Sequence, residues 1–264
     1  MAKLEINNVS KTYNANKPNS VEAVRDVSCE LDEGEFFSVI GPTGCGKSTL
    51  MKMVAGLIEP TEGEITLDGE SITGPREDIG VVFQEDSTFP WRSTLENVEF
   101  GLEMRGVGKQ ERRDRAHDIL ELVGLSGFED NYPSELSGGM RQRVAIARTL
   151  ALNPDLMLMD EPFGALDEQT RLILGGELLR ICQETNQTTM FITHSITEAA
   201  FLSDRVFVMS ARPGEIKELV EVDIERPRDE SIMTSDRFNE ITDDLWEALK
   251  SEAQIGFEQS MTVD

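Results

Sequence analysis

Residues 36–49 read FFSVIGPTGCGKST. A run of strand-forming residues enters a glycine-rich loop, and the loop opens a helical stretch, TLMKMVAGL. Few architectures accept that order. A short, continuously apolar strand is buried on both faces, which suits a parallel sheet covered by helices. The loop satisfies G-x-x-x-x-G-K-[ST] in its proper place between strand and helix. Its glycines let the backbone curl so that several N–H groups converge on one point, where an anion is held. The chain is therefore expected to be α/β, with a phosphate cradle at the end of one strand.

Other apolar runs fit the same sheet. Phe36–Ile40, Ile79–Phe83, Leu156–Met159, Met190–Thr193 and Val206–Met209 read as buried strands with helical stretches between them. Leu4–Val9 and Val24–Leu31 alternate more and are expected to form an antiparallel edge. No strong strand lies between Pro90 and Asn153. That charged region (KQERRDRAHDILELVGL) reads as a helical insertion, about 88–154, within a domain spanning 1–225. Beyond Arg226-Pro227-Arg228 the chain turns polar and acidic. Residues 226–264 are read as a C-terminal extension, with Phe238, Ile241, Leu245 and Leu249 on one face of an amphipathic helix.

Composition narrows the partners. The net charge is −25, from 50 acidic and 25 basic residues, which argues against binding nucleic acid through its phosphates. The acids are scattered, and lysine is scarce: 8 residues against 17 arginines. This favours the acidic surface of a salt-adapted protein over an ordinary acidic one. No apolar stretch approaches the roughly 20 residues that span a bilayer, and the N-terminus has no apolar signal core. The expectation is a cytoplasmic protein whose membrane role, if it has one, needs a partner. Cys29, Cys45 and Cys182 are widely spaced and are expected to be reduced thiols rather than a disulfide or zinc set.

The chemistry is concentrated in three stretches. Gly41, Pro42, Thr43, Gly44, Cys45, Gly46, Lys47, Ser48 and Thr49 make the cradle. Lys47 can reach the β- and γ-phosphates of a nucleotide, and the Ser48 hydroxyl can hold Mg²⁺. In LMLMDEP, two acids emerge at the end of a buried strand, where α/β sheets bind ligands. Asp160 would hold Mg²⁺ through water, and Glu161 would be the general base that orients or deprotonates the attacking water. The third stretch, LSGGMRQRVAIARTL, is a helix start. Ser137 is its expected N-cap, and Met140, Val144, Ala147 and Leu150 mark one buried face. Free N–H groups at such a start suit an anion. Two phosphate cradles in one chain call for an explanation.

Together these motifs resemble the ATP-binding subunits of ABC transporters over residues 3–225, in the expected order. LSGGMRQ at 136–142 is similar to that family's signature. In the family, two ATPase domains pack head to tail with ATP between the P-loop of one and the signature of the other. The resemblance therefore implies that Ser137, Gly138, Gly139 and Gln142 serve the nucleotide of a second copy. It implies further roles one residue at a time. Tyr13 would stack on adenine; the plain alternative is a surface tyrosine. Gln84 would sense Mg²⁺ and the attacking water. Asp167 would lie in a loop crossing the dimer interface, and His194 would contact the γ-phosphate. His117, in a charged helix, is expected to be solvated.

The stretch QEDSTFPWRSTLENV, with MSARPGEI, is similar to the importer branch for nitrate, sulfonates and taurine. In this family the stretch after the glutamine faces the permease. Phe89 and Trp91 would then meet an integral-membrane partner, or else fill the core of the helical insertion. The resemblance implies ATP and Mg²⁺ as cofactors. Its partners would be a second copy, a permease and indirectly a solute-binding protein, with no nucleic acid. It implies a peripheral place on the inner face of the cell membrane. The rival reading is a soluble ABC-type ATPase acting on nucleic acid or ribosomes; it lacks the long coiled coils or tandem ATPase domains that such relatives carry.

Overall fold

The computed structural model describes residues 3–84, 87–164 and 166–261. Its strands are β1 (Leu4–Tyr13), β2 (Val21–Leu31), β3 (Phe36–Ile40), β4 (Glu62–Leu67), β5 (Glu70–Ser71), β6 (Ile79–Val82), β7 (Leu156–Asp160), β8 (Thr188–Ile192), β9 (Arg205–Met209) and β10 (Ile216–Glu221). Its α-helices are α1 (Lys47–Val54), α2 (Thr94–Met104), α3 (Lys109–Leu122), α4 (Gly138–Leu150), α5 (Glu168–Glu184), α6 (Ile196–Leu202) and α7 (Asp236–Met261).

All five residues of β3 are buried, and β3 lies between β9 and β8 in a six-stranded sheet of order β10-β9-β3-β8-β7-β6. The pairs β3–β9, β3–β8, β8–β7 and β7–β6 are parallel; β10 runs antiparallel to β9. Successive side chains of β3 face opposite ways. Phe36 and Ile40 join the core that includes Met157, Met159 and Phe191 and packs against α2–α6. Phe37 and Val39 join a second core with Leu50, Met51, Leu158 and Ile192. The chain is an α/β protein with a mainly parallel core sheet.

The first two strands depart from the expected edge position. They pair with β4 and β5 in a separate antiparallel sheet of order β2-β1-β4-β5. Their alternation is the reason: Leu4, Ile6, Val9, Val24, Val27 and Leu31 are buried on one side and form part of the second core. A strand with one wet face covers the parallel sheet better than it extends it. The antiparallel edge of the main sheet is β10.

The region between Pro90 and Asn153 contains α2, α3 and α4 and no strand. Ser93 and Glu96 form a reciprocal capping box at the start of α2. Ser137 caps α4, accepting from the Met140 N–H at 3.3 Å. Val144, Ala147 and Leu150 are buried as their spacing predicts, and Met140 packs partly against the same core.

The C-terminal helix is amphipathic as expected, but it does not stand apart. Phe238, Ile241 and Leu245 are buried in the same core as Val206 and Val222. Arg228 anchors the chain that leads to it. This guanidinium is buried and donates to the carbonyls of Phe201, Ser203, Val222 and Ile224. Two of these carbonyls end α6, the helix that follows His194. Burial, with Arg226 nearby, pulls the Arg228 guanidinium down to about 10. Arg228→Met would leave four carbonyl acceptors, three of them buried, without their donor, an expected cost of about 3 kcal/mol. Urea denaturation checks this; a midpoint equal to wild type at unchanged m-value would contradict it.

Candidate functional site

Parallel strands end together, so the loops after β3, β6, β7 and β8 converge on one edge of the sheet. The register is tight there: Val39 and Asp160 both pair with Ile192. The edge carries a cleft of about 650 Å³ lined by Tyr13, Val21, Ala23, Thr43, Gly44, Gly46, Lys47, Ser48, Thr49, Gln84, Glu161, His194 and Arg212.

The loop between β3 and α1 is built on glycine. Gly44 has φ 78° and Gly46 has φ 113°, and a Cβ on Gly46 would lie 2.6 Å from the Ala23 carbonyl oxygen. Lys47 is buried and folds back over the loop, donating to Gly41 O at 2.7 Å and Pro42 O at 3.0 Å. Cys45 is buried beneath, and burial pushes its thiol up despite nearby Lys47. Thr49 Oγ1 lies 3.4 Å from the Tyr13 hydroxyl, with Tyr13 half-exposed at the rim. Lys11 Nζ lies over that ring, 5.7 Å from its centroid.

Ser48 donates to Asp160 Oδ1 at 3.2 Å, so two hard oxygen donors from distant segments share one point. Burial pushes the Asp160 carboxyl up; the Ser48 hydrogen bond opposes this and neighbouring Glu161 adds to it. A divalent cation at that point would favour the ionised form. One hydroxyl and one carboxylate suit Mg²⁺, which keeps several waters and takes substrate phosphates as its other ligands. The residues present therefore fit the ion, and the open loop beside them fits its phosphates.

Glu161 has φ 45°, a left-handed conformation that costs a non-glycine residue of order 1–3 kcal/mol. Its N–H is held by Ile192 O at 2.9 Å. Its Oε2 lies 3.0 Å from Nδ1 of His194. With Glu161 ionised, Nδ1 carries the hydrogen and Nε2 is left for another partner. Gln84 belongs to the same group: a Cβ on Gly164 would sit 3.7 Å from both Gln84 Nε2 and Glu161 Oε2.

Other expected residues lie elsewhere. Ser137, Gly138 and Gly139 do not line the cleft; the first two are exposed at the start of α4. Gln142 is buried under that helix, its amide nitrogen without a partner, so it is not displayed at the same surface. Asp167 is exposed and caps α5, accepting from Thr170 N at 2.9 Å and Thr170 Oγ1 at 2.7 Å. Those bonds hold its carboxyl below the usual range. Phe89 is half-buried outside the main core and packs edge-on against Phe100 at 4.6 Å, whereas Trp91 is 71% exposed. Glu85 and Asp86, beside them, lie outside the described residues.

Arg212 is a cleft residue that sequence reasoning missed, as it did Val21 and Ala23 of β2. Arg212 donates through Nε to Gly44 O at 3.2 Å, from the loop between β9 and β10. No motif marks it. The loop comes close because Gly214 packs where a Cβ would meet Cys45 O at 2.1 Å.

Residues 24–164 match the ABC transporter family. The chain belongs to that family. It is 53% identical to an uncharacterised ABC transporter ATP-binding protein of Methanocaldococcus jannaschii, over 95% of this chain and 92% of that protein. It is 47% identical to a nitrate import ATP-binding protein of Synechocystis, over 86% and 84% respectively. A dimeric ATP-binding cassette in a post-hydrolysis state, bound to ADP and Pi, superposes with a TM-score of 0.73 at 34% identity, covering 84% of this chain and all of that one. The protein is an ABC-type ATPase, with ATP and Mg²⁺ as cofactors.

Lys47→Ala should abolish ATP hydrolysis. Glu161→Gln should slow turnover by about a hundredfold or more while ATP affinity stays within about twofold. Single-turnover hydrolysis alongside nucleotide-binding titration checks both; near-normal turnover in the glutamine variant would remove Glu161 from the base role.

Proposed function

We propose that this ABC-type ATPase powers import of a small anion, of the nitrate, sulfonate or taurine type, through a separate integral-membrane permease. The observation that carries the mechanism is a cleft with every hydrolytic group except the signature. The P-loop, Asp160, Glu161, Gln84 and His194 converge, while Ser137 and Gly138 face outward at a capped helix start. Such a site is complete only when a second copy supplies its α4.

In this reading Tyr13 stacks on adenine and the P-loop N–H groups hold the phosphates. Lys47 leaves the carbonyls of Gly41 and Pro42 for the β- and γ-phosphates. Ser48 and Asp160 would hold Mg²⁺, which would supply charge neutralisation for the phosphate oxygens. Gln84 monitors the ion and the attacking water. Glu161 orients that water and takes its proton, while His194 aligns Glu161 through Nδ1 and offers Nε2 to the γ-phosphate. From the partner, Ser137 and the N–H groups of Gly138 and Gly139 meet the same γ-phosphate, at the positive end of a helix. ATP thus joins two surfaces, and loss of the γ-phosphate lets them part.

Residues 1–225 form the ATPase domain in this reading, with its helical part near 88–154, and 226–264 the extension. Exposed Trp91 is where the permease would rest, and a solute-binding protein would act through that permease. The protein would sit on the cytoplasmic face of the membrane. No helix among the described residues is long and apolar enough to cross it. The charge of −25 disfavours the nucleic-acid alternative.

Two outcomes are expected. Glu161→Gln protein with ATP at high salt should elute as a dimer on a sizing column, and without ATP as a monomer; no shift at saturating, verified ATP binding would count against the shared site. Tagged protein captured from gently solubilised native membranes should bring a multi-span permease, identified by mass spectrometry. Ribosomal or DNA-associated partners with no permease would overturn the transport role.

A further inference from the structure

An ion pair between α5 and α6, with Glu198 buried and Arg171 part-buried, joins the segment before α5 to the turn after β8. Arg171, in the first turn of α5, donates through a terminal guanidinium nitrogen to Leu166 O at 3.0 Å, in the segment just before Asp167. Its Nε lies 3.3 Å from Oε1 of Glu198 on α6. That approach is Coulombic rather than a directed hydrogen bond, since Nε has no aligned acceptor. Glu198 is buried, and its other oxygen accepts from the Thr193 hydroxyl. Thr193 Oγ1 in turn accepts the Ser195 N–H at 3.0 Å. The two residues flanking His194 are therefore pinned to Glu198.

The other end of the pair reaches the signature. A Cβ on Gly138 would sit 3.8 Å from Leu166, and one on Gly139 would sit 3.6 Å from Thr170 and 3.4 Å from Leu174. So the start of α4 lies beside Leu166, Thr170 and Leu174, and Arg171 holds the Leu166 end of that segment. Burial pushes the Glu198 carboxyl up, while Thr193, Arg171 and His194 favour its charge and Glu161 opposes it.

We propose that Arg171 and Glu198 are positioning residues that couple the signature and Asp167 segment of a subunit to the orientation of its own His194. Engagement of the partner's nucleotide at Ser137 moves Leu166 and, through Arg171 and Glu198, sets the turn that aims His194 at Glu161. This rests on the shared-site reading above. A pair without an aligned hydrogen bond can shift without breaking a directed contact, which suits a coupling element better than a rigid strut.

The test is steady-state ATP hydrolysis, nucleotide binding and thermal unfolding of wild type, Arg171→Met, Arg171→Lys, Glu198→Gln and the Arg171→Met/Glu198→Gln double variant. In variants that unfold within about 5 °C of wild type, kcat should fall by about tenfold or more, with KM for ATP within about twofold. The double variant should be no worse than either single one, because both remove the same link. Arg171→Lys should recover part of kcat, since a lysine keeps the charge but cannot serve Leu166 and Glu198 together. Unchanged kcat in folded Arg171→Met, strictly additive losses, or losses that merely follow the unfolded fraction would each overturn the coupling. Wild-type protein that hydrolyses no ATP would overturn the site reading itself, and this role with it.

Discussion

The left-handed turn at Gly44 and Gly46, held between a fully buried strand and the first turn of α1, is the constraint on which the rest of the site depends. A side chain at Gly46 would strike the backbone of β2, so the loop can take this path only without a Cβ. The path leaves the loop N–H groups to converge on an anion, and it brings Lys47 back over its own carbonyls. That lysine is satisfied without phosphate, which keeps a buried ammonium stable until a nucleotide draws it away. The neighbouring elements reinforce the turn: Arg212 holds Gly44 from one side, and Gly214 presses on Cys45 from below.

Opposite that turn the sheet edge supplies the acids. Asp160 and Glu161 follow one another at the end of β7, yet they face different tasks. Asp160 is drawn to Ser48, and Glu161 is turned to His194 by a backbone conformation that a non-glycine residue rarely adopts. Consecutive residues in an extended strand point to opposite faces. The left-handed φ at Glu161 is what allows both carboxylates to serve one cleft. Strain of this kind persists where the surrounding structure over-determines it, and the bond from Glu161 N to Ile192 O does part of that.

In a chain with a net charge of −25, the P-loop and the start of α4 are two helix starts whose N–H groups suit an anion. In the proposed function each subunit would offer one of them to its own nucleotide and the other to a second copy. An anion shared between two otherwise repelling acidic surfaces is a sound physical basis for association that depends on ligand and on salt. The proposed link through Arg171 and Glu198 runs between the segment beside the start of α4 and the turn that carries His194.

The order strand, glycine loop, helix determined the α/β class, the P-loop and its neighbours Lys47 and Ser48, because those are local: spacing alone sets the turn and aims its N–H groups. The buried runs of β3, β6, β7, β8 and β9 were legible for the same reason, as were Ser137 as a cap and the apolar face of α7. Pairing was not local. Only the tertiary structure decided that β1 and β2 leave the main sheet, since a half-buried alternation does not say which sheet it covers. Only the fold brought Arg212 to the cleft and Arg171 to Glu198, because a single charged residue in a loop or helix carries no signal of what it will meet. It also separated residues that one motif had joined: Gln142 sits in the signature stretch but turns under the helix, while Ser137 and Gly138 turn outward. A helix presents consecutive residues about 100° apart, so membership of a motif specifies sequence neighbours, and packing decides which of them reach the surface.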